Sequence, residues 1–498
     1  MFESAELGHK VDKAAYERAV PALREALLNT QYDLAAAARF PVIIVIGGVD
    51  GAGKGETVHL LNEWMDPRHI DTYAFPEPSD EDRELPRMWR FWRALPPKGK
   101  IGILFGAWHT EPIVRRVIRE IRSSELDAAI EGVLRFERML TDEGALLIKL
   151  WFHLSKERQR KRLKALEKNP QTRWRVTDTD WERFKLYDRF RAVSEYYLGH
   201  TNTGEAPWTV IEGDDARYRS LTVGNLLLAS MREHLGRKAS ASPAVKAPAQ
   251  MPAIDRRNLL GELDLSKRLP KQQYDSELEK WQGRLNLLSR EPNFKRMSGI
   301  IVFEGSDAAG KGGAIRRITG ALDARQYHGV PIAAPTDEER AKPYLWRFWR
   351  HLPRRGRFTI YDRSWYGRVL VERVEGFCAE ADWRRAYSEI NDFEEQLVLN
   401  RAVVAKFWLQ IDKDEQLKRF KLREKTSFKR FKITAEDWRN RDKWDAYQIA
   451  AEDMVERTST SLAPWTLVES NDKFHARIKV LKTVVQRIEA MLAGEVKV

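Results

Sequence analysis

Gly305-Ser-Asp-Ala-Ala-Gly-Lys-Gly-Gly313 follows the apolar run Gly299-Ile-Ile-Val-Phe303 and leads into a helix-compatible stretch from Lys311. A buried strand, a glycine-rich turn and a helix, in that order, mark an α/β unit. The same stretch recurs as Gly48-Val-Asp-Gly-Ala-Gly-Lys-Gly55, offset by 257 residues. The offset holds without a gap as far as Trp208. Trp89-Arg-Phe-Trp-Arg-Ala-Leu-Pro96 falls on Trp346-Arg-Phe-Trp-Arg-His-Leu-Pro353, Trp181 on Trp438, and Pro207-Trp208 on Pro464-Trp465. The chain is a tandem duplication, so each copy serves as a control for the other.

Further strand signals in the second copy are Phe358-Thr-Ile-Tyr361, Val403 to Ile411 and Pro464-Trp-Thr-Leu-Val468. Helical patterns run from Gln272 to Leu288, through Asp412 to Arg457, and from Asp472 to Leu492. Strands alternating with helices predict a parallel sheet covered on both faces. The chain divides into residues 1–237, a linker over 238–253 rich in Ala, Ser and Pro, and residues 254–498.

The 498 residues carry a net charge of +13, which favours a polyanionic partner over none, although a merely basic surface gives the same number. Cys378 is the single cysteine, so no disulfide can form within the chain and a reducing cytoplasm is expected. The start, Met1-Phe-Glu-Ser-Ala-Glu-Leu-Gly8, lacks a basic segment followed by an apolar one, so no signal peptide is expected. Apolar runs such as Pro41-Val-Ile-Ile-Val-Ile46 fall far short of the roughly 20 residues that span a bilayer, so no membrane is expected either.

Strand, Gly-x4-Gly-Lys and helix together form a P-loop, whose backbone N–H groups and helix dipole hold a phosphate while the lysine reaches the terminal phosphates. Gly305, Asp307, Ala308, Ala309, Gly310, Lys311, Gly312 and Gly313 are the expected phosphate cradle. The usual Ser or Thr after the lysine is Gly312, so carboxylates must hold any metal. Asp307 within the loop is one choice. The other is Asp362, at the end of the strand expected beside the P-loop strand, in Tyr361-Asp-Arg-Ser-Trp-Tyr-Gly-Arg368. A helix-capping role for Asp362 is the simpler alternative. Arg363 and Arg368 carry planar forks suited to phosphoryl oxygens.

Copy one has Phe105 for Asp362, Gly106 for Arg363, Glu111 for Arg368, Gly47 for Glu304 and Leu166 for Arg423. It keeps Asp50, Lys54 and Trp108. Charged positions have been lost together while fold-bearing ones remain, so catalysis is expected in copy two alone.

The segment Lys418-Arg-Phe-Lys-Leu-Arg-Glu-Lys-Thr-Ser-Phe-Lys-Arg-Phe-Lys432 contains Arg423, Lys425, Lys429 and Arg430. A basic lid closing over phosphates accounts for it. A solvated helix face or a single-stranded nucleic acid surface accounts for it as well.

Gly-x-Asp-Ala-Ala-Gly-Lys-Gly-Gly, Pro335-Thr-Asp-Glu-Glu339, Asp362-Arg-Ser-Trp-Tyr-x-Arg368 and the cationic segment around Arg423 resemble the family-2 polyphosphate kinases. The resemblance spans nearly all of copy two and, in weakened form, copy one. It implies two tandem thymidylate-kinase-like P-loop domains, the first degenerate, with a basic helical lid. It also implies phosphoryl transfer between inorganic polyphosphate and nucleotides with Mg²⁺ held by Asp307 and Asp362. The two-domain form resembles the polyphosphate:AMP phosphotransferase subgroup, which makes ADP from AMP. Lys311, Asp362, Arg363 and Arg423 are then the expected catalytic residues. Arg368, Lys425, Lys429 and Arg430 join the cradle in binding phosphate and nucleotide. Phosphorylation of ADP or GDP to the triphosphate, and an ATP-dependent nucleotide kinase of the same fold, stay open. So does a homo-oligomer. A nucleic-acid-binding protein without kinase activity is disfavoured by Asp362-Arg363.

Overall fold

The computed structural model describes residues 1–237 and 258–494. The expected linker, 238–253, lies outside the described residues. The chain forms two compact units. The first is built on strands β1 (Val42–Gly48), β2 (Ile70–Ala74), β3 (Ile101–Phe105), β4 (Leu146–His153) and β5 (Trp208–Glu212). The second is built on β6 (Ser298–Gly305), β7 (Tyr327–Pro331), β8 (Phe358–Asp362), β9 (Ala402–Gln410) and β10 (Trp465–Glu469). The strand orders are β2-β3-β1-β4-β5 and β7-β8-β6-β9-β10, so the two sheets have the same topology. All strand pairings are parallel.

The expected strands of the second copy lie where the hydrophobic patterns put them, but strand β7 and the helices Val371–Glu375 and Glu380–Leu399 come in addition. Edge strand β7, Tyr-His-Gly-Val-Pro, buries only Val330. It therefore shows no apolar run, and its terminal proline suits an edge. The opposite extreme is β9, in which all nine residues are buried, as a central parallel strand covered on both faces requires.

In the second unit the helix Lys473–Leu492 lays Val480, Leu481, Val484, Val485 and Ile488 on Ile301, Phe303, Ala405, Phe407 and Leu409. Asp472 caps that helix by accepting from the His475 backbone N–H at 2.7 Å. Each unit also takes in one short segment from the other repeat: Thr336–Pro343 belongs to the first unit and Ser79–Trp89 to the second. Within the second unit, Glu84 receives a two-pronged bond from Arg354 at 2.7 and 2.9 Å.

A second buried structure supports the second unit. Lys406, in the middle of β9, donates to Glu394 at 2.6 Å, to the Tyr366 hydroxyl at 2.8 Å and to the Thr458 carbonyl at 2.7 Å. Glu394 in turn accepts from Trp365 Nε1 at 3.0 Å and from Tyr366 at 2.6 Å. The first unit repeats the arrangement with Lys149, Glu137, Trp108, His109 and the Thr201 carbonyl. A device present in both copies belongs to the fold. Among the described residues no helix is long and apolar enough to cross a membrane.

Candidate active site

The site of the second unit forms where β6 and β8 end side by side, with Phe303 opposite Asp362 in register. Gly305 leaves β6 at φ +138°, and a Cβ there would lie 2.5 Å from the Leu409 carbonyl oxygen, so only glycine fits. The loop then turns into the helix Lys311–Thr319. Lys311 Nζ is folded back onto the Gly305 carbonyl at 2.7 Å, spanning the mouth of the cradle. Gly312 faces open space, while Gly313 lies against Arg477.

Asp307 is the hub. Its Oδ1 accepts from Arg363 Nη2 at 2.9 Å and its Oδ2 from Asn440 Nδ2 at 2.9 Å. Burial pushes this carboxyl up, but Lys311 and Arg363 outweigh burial and hold it below its ordinary value. Arg423 lies in the field of Asp437 and Asp307, although burial lowers its pKa on balance. Lys311, Arg363 and Arg423 thus act on one carboxylate, Asp307, while Asp362 ends β8 beside the strand that leads into the loop. Arg368 is turned to Glu372 at 2.9 Å and stacks its guanidinium 4.3 Å from the centre of the Tyr344 ring. Lys425, Lys429 and Arg430 are exposed at the lid, Lys425 at the end of the helix Lys413–Lys425 and the other two between it and Ala435–Asp442. The structure gives them no contact with the cradle.

Two residues of this site that are not glycine hold left-handed backbone, Ala308 and Arg363, both at φ +64°. Each costs on the order of 1 kcal/mol. Their counterparts in the first unit are glycines in the same conformation, Gly51 at φ +78° and Gly106 at φ +68°. The first unit has the same backbone without the strain and without the guanidinium. Its Lys54 binds the Gly48 carbonyl at 2.6 Å and lies 5.9 Å from the centre of the Phe105 ring, at the position where the second unit has Asp362.

Several site residues escaped the sequence reading. Arg419, one cation in a run of them, is only 4% exposed. It donates to the carbonyls of Ala308 and Ala309 at 2.9 and 3.0 Å, and to those of Ser470 and Asn471 at 2.7 and 3.0 Å. It fastens the loop backbone from behind. Its spacing four residues after Glu415, which it also binds at 2.7 Å, is the one signal a sequence offers. Gln416 donates to the Asp307 carbonyl at 3.1 Å.

Glu304 is buried beneath the loop and accepts from Ser364 Oγ at 2.8 Å. Burial raises its pKa from 4.5 to about 6 against the pull of Ser364, Lys311 and Arg363. The site therefore prefers the neutral acid. That preference stabilises the fold fully below pH 4.5 and is lost as pH rises through about 6. Glu304→Gln, neutral at every pH, is expected to gain stability over the parent across this window, by about 2 kcal/mol at neutral pH. Urea unfolding between pH 4 and 8 measures the difference, and a constant difference at all pH values would show that Glu304 ionises without cost.

A divalent metal would have to be held by few protein donors here. Among the described residues no three acidic, His or Cys side chains cluster as a closed metal site. Mg²⁺ needs only one or two carboxylates, with water and substrate phosphates completing its shell. Asp362 at the strand end and Asp307 in the loop fit that requirement.

The chain matches the family Polyphosphate kinase 2 (PPK2) twice, over residues 10–239 and 268–495. It is 60% identical over 490 residues to the polyphosphate:AMP phosphotransferase of Pseudomonas aeruginosa, covering 98% of this chain and 99% of that one. It is 54% identical over 497 residues to the enzyme of the same name from Pseudomonas syringae pv. tomato, covering 100% of both. A solved Pseudomonas aeruginosa structure carrying the polyphosphate kinase 2 designation superposes with a TM-score of 0.89 at 57% identity, over 99% of this chain and 100% of that one. With both repeats matched and the site built from its P-loop and strand-end Asp-Arg pair, the chain belongs to the polyphosphate kinase 2 family.

Proposed function

We propose that the second unit transfers the terminal phosphoryl group of inorganic polyphosphate to AMP, giving ADP and a polymer one phosphate shorter. The observation that carries this reading is the convergence of Asp307, Lys311 and Arg363 on one phosphate cradle, in a chain similar over its whole length to polyphosphate:AMP phosphotransferases. The bond between the terminal phosphorus and its bridging oxygen breaks, and a bond to an AMP phosphate oxygen forms. The nucleophile is already an anion, so no enzyme base or covalent intermediate is needed.

The chain's work is positioning and charge stabilisation. Lys311 swings from the Gly305 carbonyl to the phosphates, the loop N–H groups hold them, and Arg363 and Arg423 take up charge on the transferring group. Asp362 and Asp307 would hold Mg²⁺, which when bound neutralises phosphate charge. Lys425, Lys429 and Arg430 lie exposed where an anionic polymer would run. A cytoplasmic setting fits the single cysteine and the nucleotide substrate.

Incubating the purified enzyme with AMP, polyphosphate and Mg²⁺, without ATP, and resolving the nucleotides tests the reading. ADP accumulating in step with loss of polymer phosphate is expected. ADP formed only when ATP is supplied would overturn it.

Two further results are expected. Affinity for long polyphosphate should fall steeply with added salt, because binding releases counterions from the polymer. Neutralising Lys429 and Arg430 should flatten that slope and change AMP binding less; an unchanged slope would place the polymer elsewhere. Lys54→Ala should leave turnover within about threefold of the parent, under ~1 kcal/mol of barrier. A hundredfold loss would show that the first unit takes part in catalysis.

A further inference from the structure

One hydrogen-bonded chain runs outward from Asp307 and exists only in the second unit. Asn440 donates from Nδ2 to Asp307 Oδ2 at 2.9 Å. The Tyr447 hydroxyl lies 3.2 Å from Asn440 Oδ1 and 3.3 Å from Glu375 Oε1, so its one proton is shared between two acceptors. Glu375, 5% exposed, is held from its other side by Lys443 at 2.9 Å and Arg439 at 3.3 Å. Burial, with the Glu375 carboxylate beside it, keeps the Tyr447 hydroxyl protonated far above neutral pH.

These residues come from four elements. Asp307 is in the P-loop. Glu375 ends the helix Val371–Glu375, which follows the Asp362–Arg368 segment. Asn440 and Arg439 belong to the lid helix Ala435–Asp442, and Tyr447 to the next helix, Trp444–Thr458. The chain therefore joins the loop, the strand-end motif and the lid. Glu436, on the same lid helix, lies 4.0 Å from Arg363.

The first unit isolates the purpose of this arrangement. At the positions of Asn440, Tyr447, Glu375, Arg439 and Lys443 it has Arg183, Phe190, Ile118, Glu182 and Leu186. The Tyr447 and Glu375 links have no counterpart there, and the contact with the loop carboxylate is changed from an amide hydrogen bond to a long ion pair, Arg183 lying 3.8 Å from Asp50. The buried lysine–glutamate network, by contrast, is present in both units. Duplication has kept what the fold needs and dropped this chain along with Asp362 and Arg363.

We infer that Asn440, Tyr447 and Glu375 form a positioning relay that holds the lid helix on Asp307 and so sets turnover in the second unit. The inference rests on reading that unit as the catalytic one. Closure of a lid excludes water and completes the site. A relay ending on Asp307 also orients the carboxylate that holds Arg363, and an error of about 1 Å there can cost on the order of 10²-fold.

Tyr447→Phe removes one hydroxyl and installs the residue found at position 190. In the full-length enzyme, kcat should fall at least fivefold while KM for AMP stays within threefold. Asn440→Ala should do the same. The double variant should lose little more than the worse single one, because both cut the same chain. Amide exchange in residues 435–442 should speed up in both variants. Phe190→Tyr, the reverse change in the first unit, should alter nothing. If Tyr447→Phe fails to fold, Asn440→Ser carries the same test.

A fall in kcat of less than fivefold in both single variants overturns the relay. So does a rise in KM with kcat retained, or a double loss equal to the product of the two single losses. Lys311→Ala separates the premises. If it is inactive while the relay variants are near normal, the relay alone fails; if it is active, the catalytic-unit reading fails.

Discussion

Asp362→Asn will lower turnover by at least ~10²-fold in an enzyme that remains folded, the scale seen when one preorganised charge-stabilising group is removed. The substitution keeps the size of the side chain and removes only its charge. The backbone of Asp362 is unaffected, since its carbonyl still accepts from Ile332 N–H at 3.0 Å and closes the edge of the sheet. What is lost is the carboxylate at the end of β8, whereas the Asp307 carboxylate, with Arg363 and Asn440 on it, is untouched.

Lys311→Ala and Arg363→Ala should match it in scale, because each removes a cation facing the same phosphates. Arg363→Ala carries an informative side effect. It keeps the left-handed backbone, whereas Arg363→Gly relaxes it as Gly106 does. The glycine variant should be the more stable of the two, and both should be inactive. Steady-state turnover with AMP and polyphosphate, together with thermal unfolding, reads both quantities. Near-normal turnover of folded Asp362→Asn would exclude the mechanism.

The largest loss of stability is expected from Lys406→Met. Lys406 is fully buried and satisfies Glu394, Tyr366 and Thr458 together. Burial lowers its pKa and Glu394 opposes that, so the lysine depends on the buried carboxylate for compensation. Without the lysine, the Glu394 carboxylate is left buried, with Trp365 and Tyr366 as its remaining donors. Breaking one side of such a pair costs about 3–5 kcal/mol. For a domain of this size that corresponds to a drop of roughly 6–20 °C in the melting point.

Adding Glu394→Gln should recover part of the loss. It removes the uncompensated charge and keeps an oxygen for Trp365 and Tyr366. Calorimetry on the parent, single and double variants decides the matter. A double variant no more stable than the single one would mean that packing, not charge, holds this position. Turnover should fall as well, since Trp365 and Tyr366 stand three and four residues beyond Asp362 and anchor its loop.

What is local in this chain and what is long-range divide along a physical line. Strand β6, the glycine turn and the helix behind it are local in sequence, and the burial that shapes them appears as uninterrupted apolar runs. The duplication supplies an internal comparison, so the sequence itself shows the loss of Asp362, Arg363 and Arg423 from copy one. Strand β7 was not visible, because an edge strand buries one residue and leaves no pattern.

The remaining site residues depend on contacts across long stretches of chain. Arg419 reads as one more solvated cation until its helix brings it behind Ala308 and Ala309, 110 positions earlier. Asn440 is 133 positions from Asp307, and a neutral amide in a charged helix carries no local signal at all. Glu304 is adjacent to the P-loop, but only enclosure by the sheet lifts its pKa. By itself, the sequence determined the duplication, the two sheets and the glycine turn that leads from β6 into its helix, since these follow from periodicity and turn chemistry over short spans. The tertiary structure alone decided which charged groups meet, because the desolvation and hydrogen bonding that give a carboxylate its role arise only when distant segments close around it.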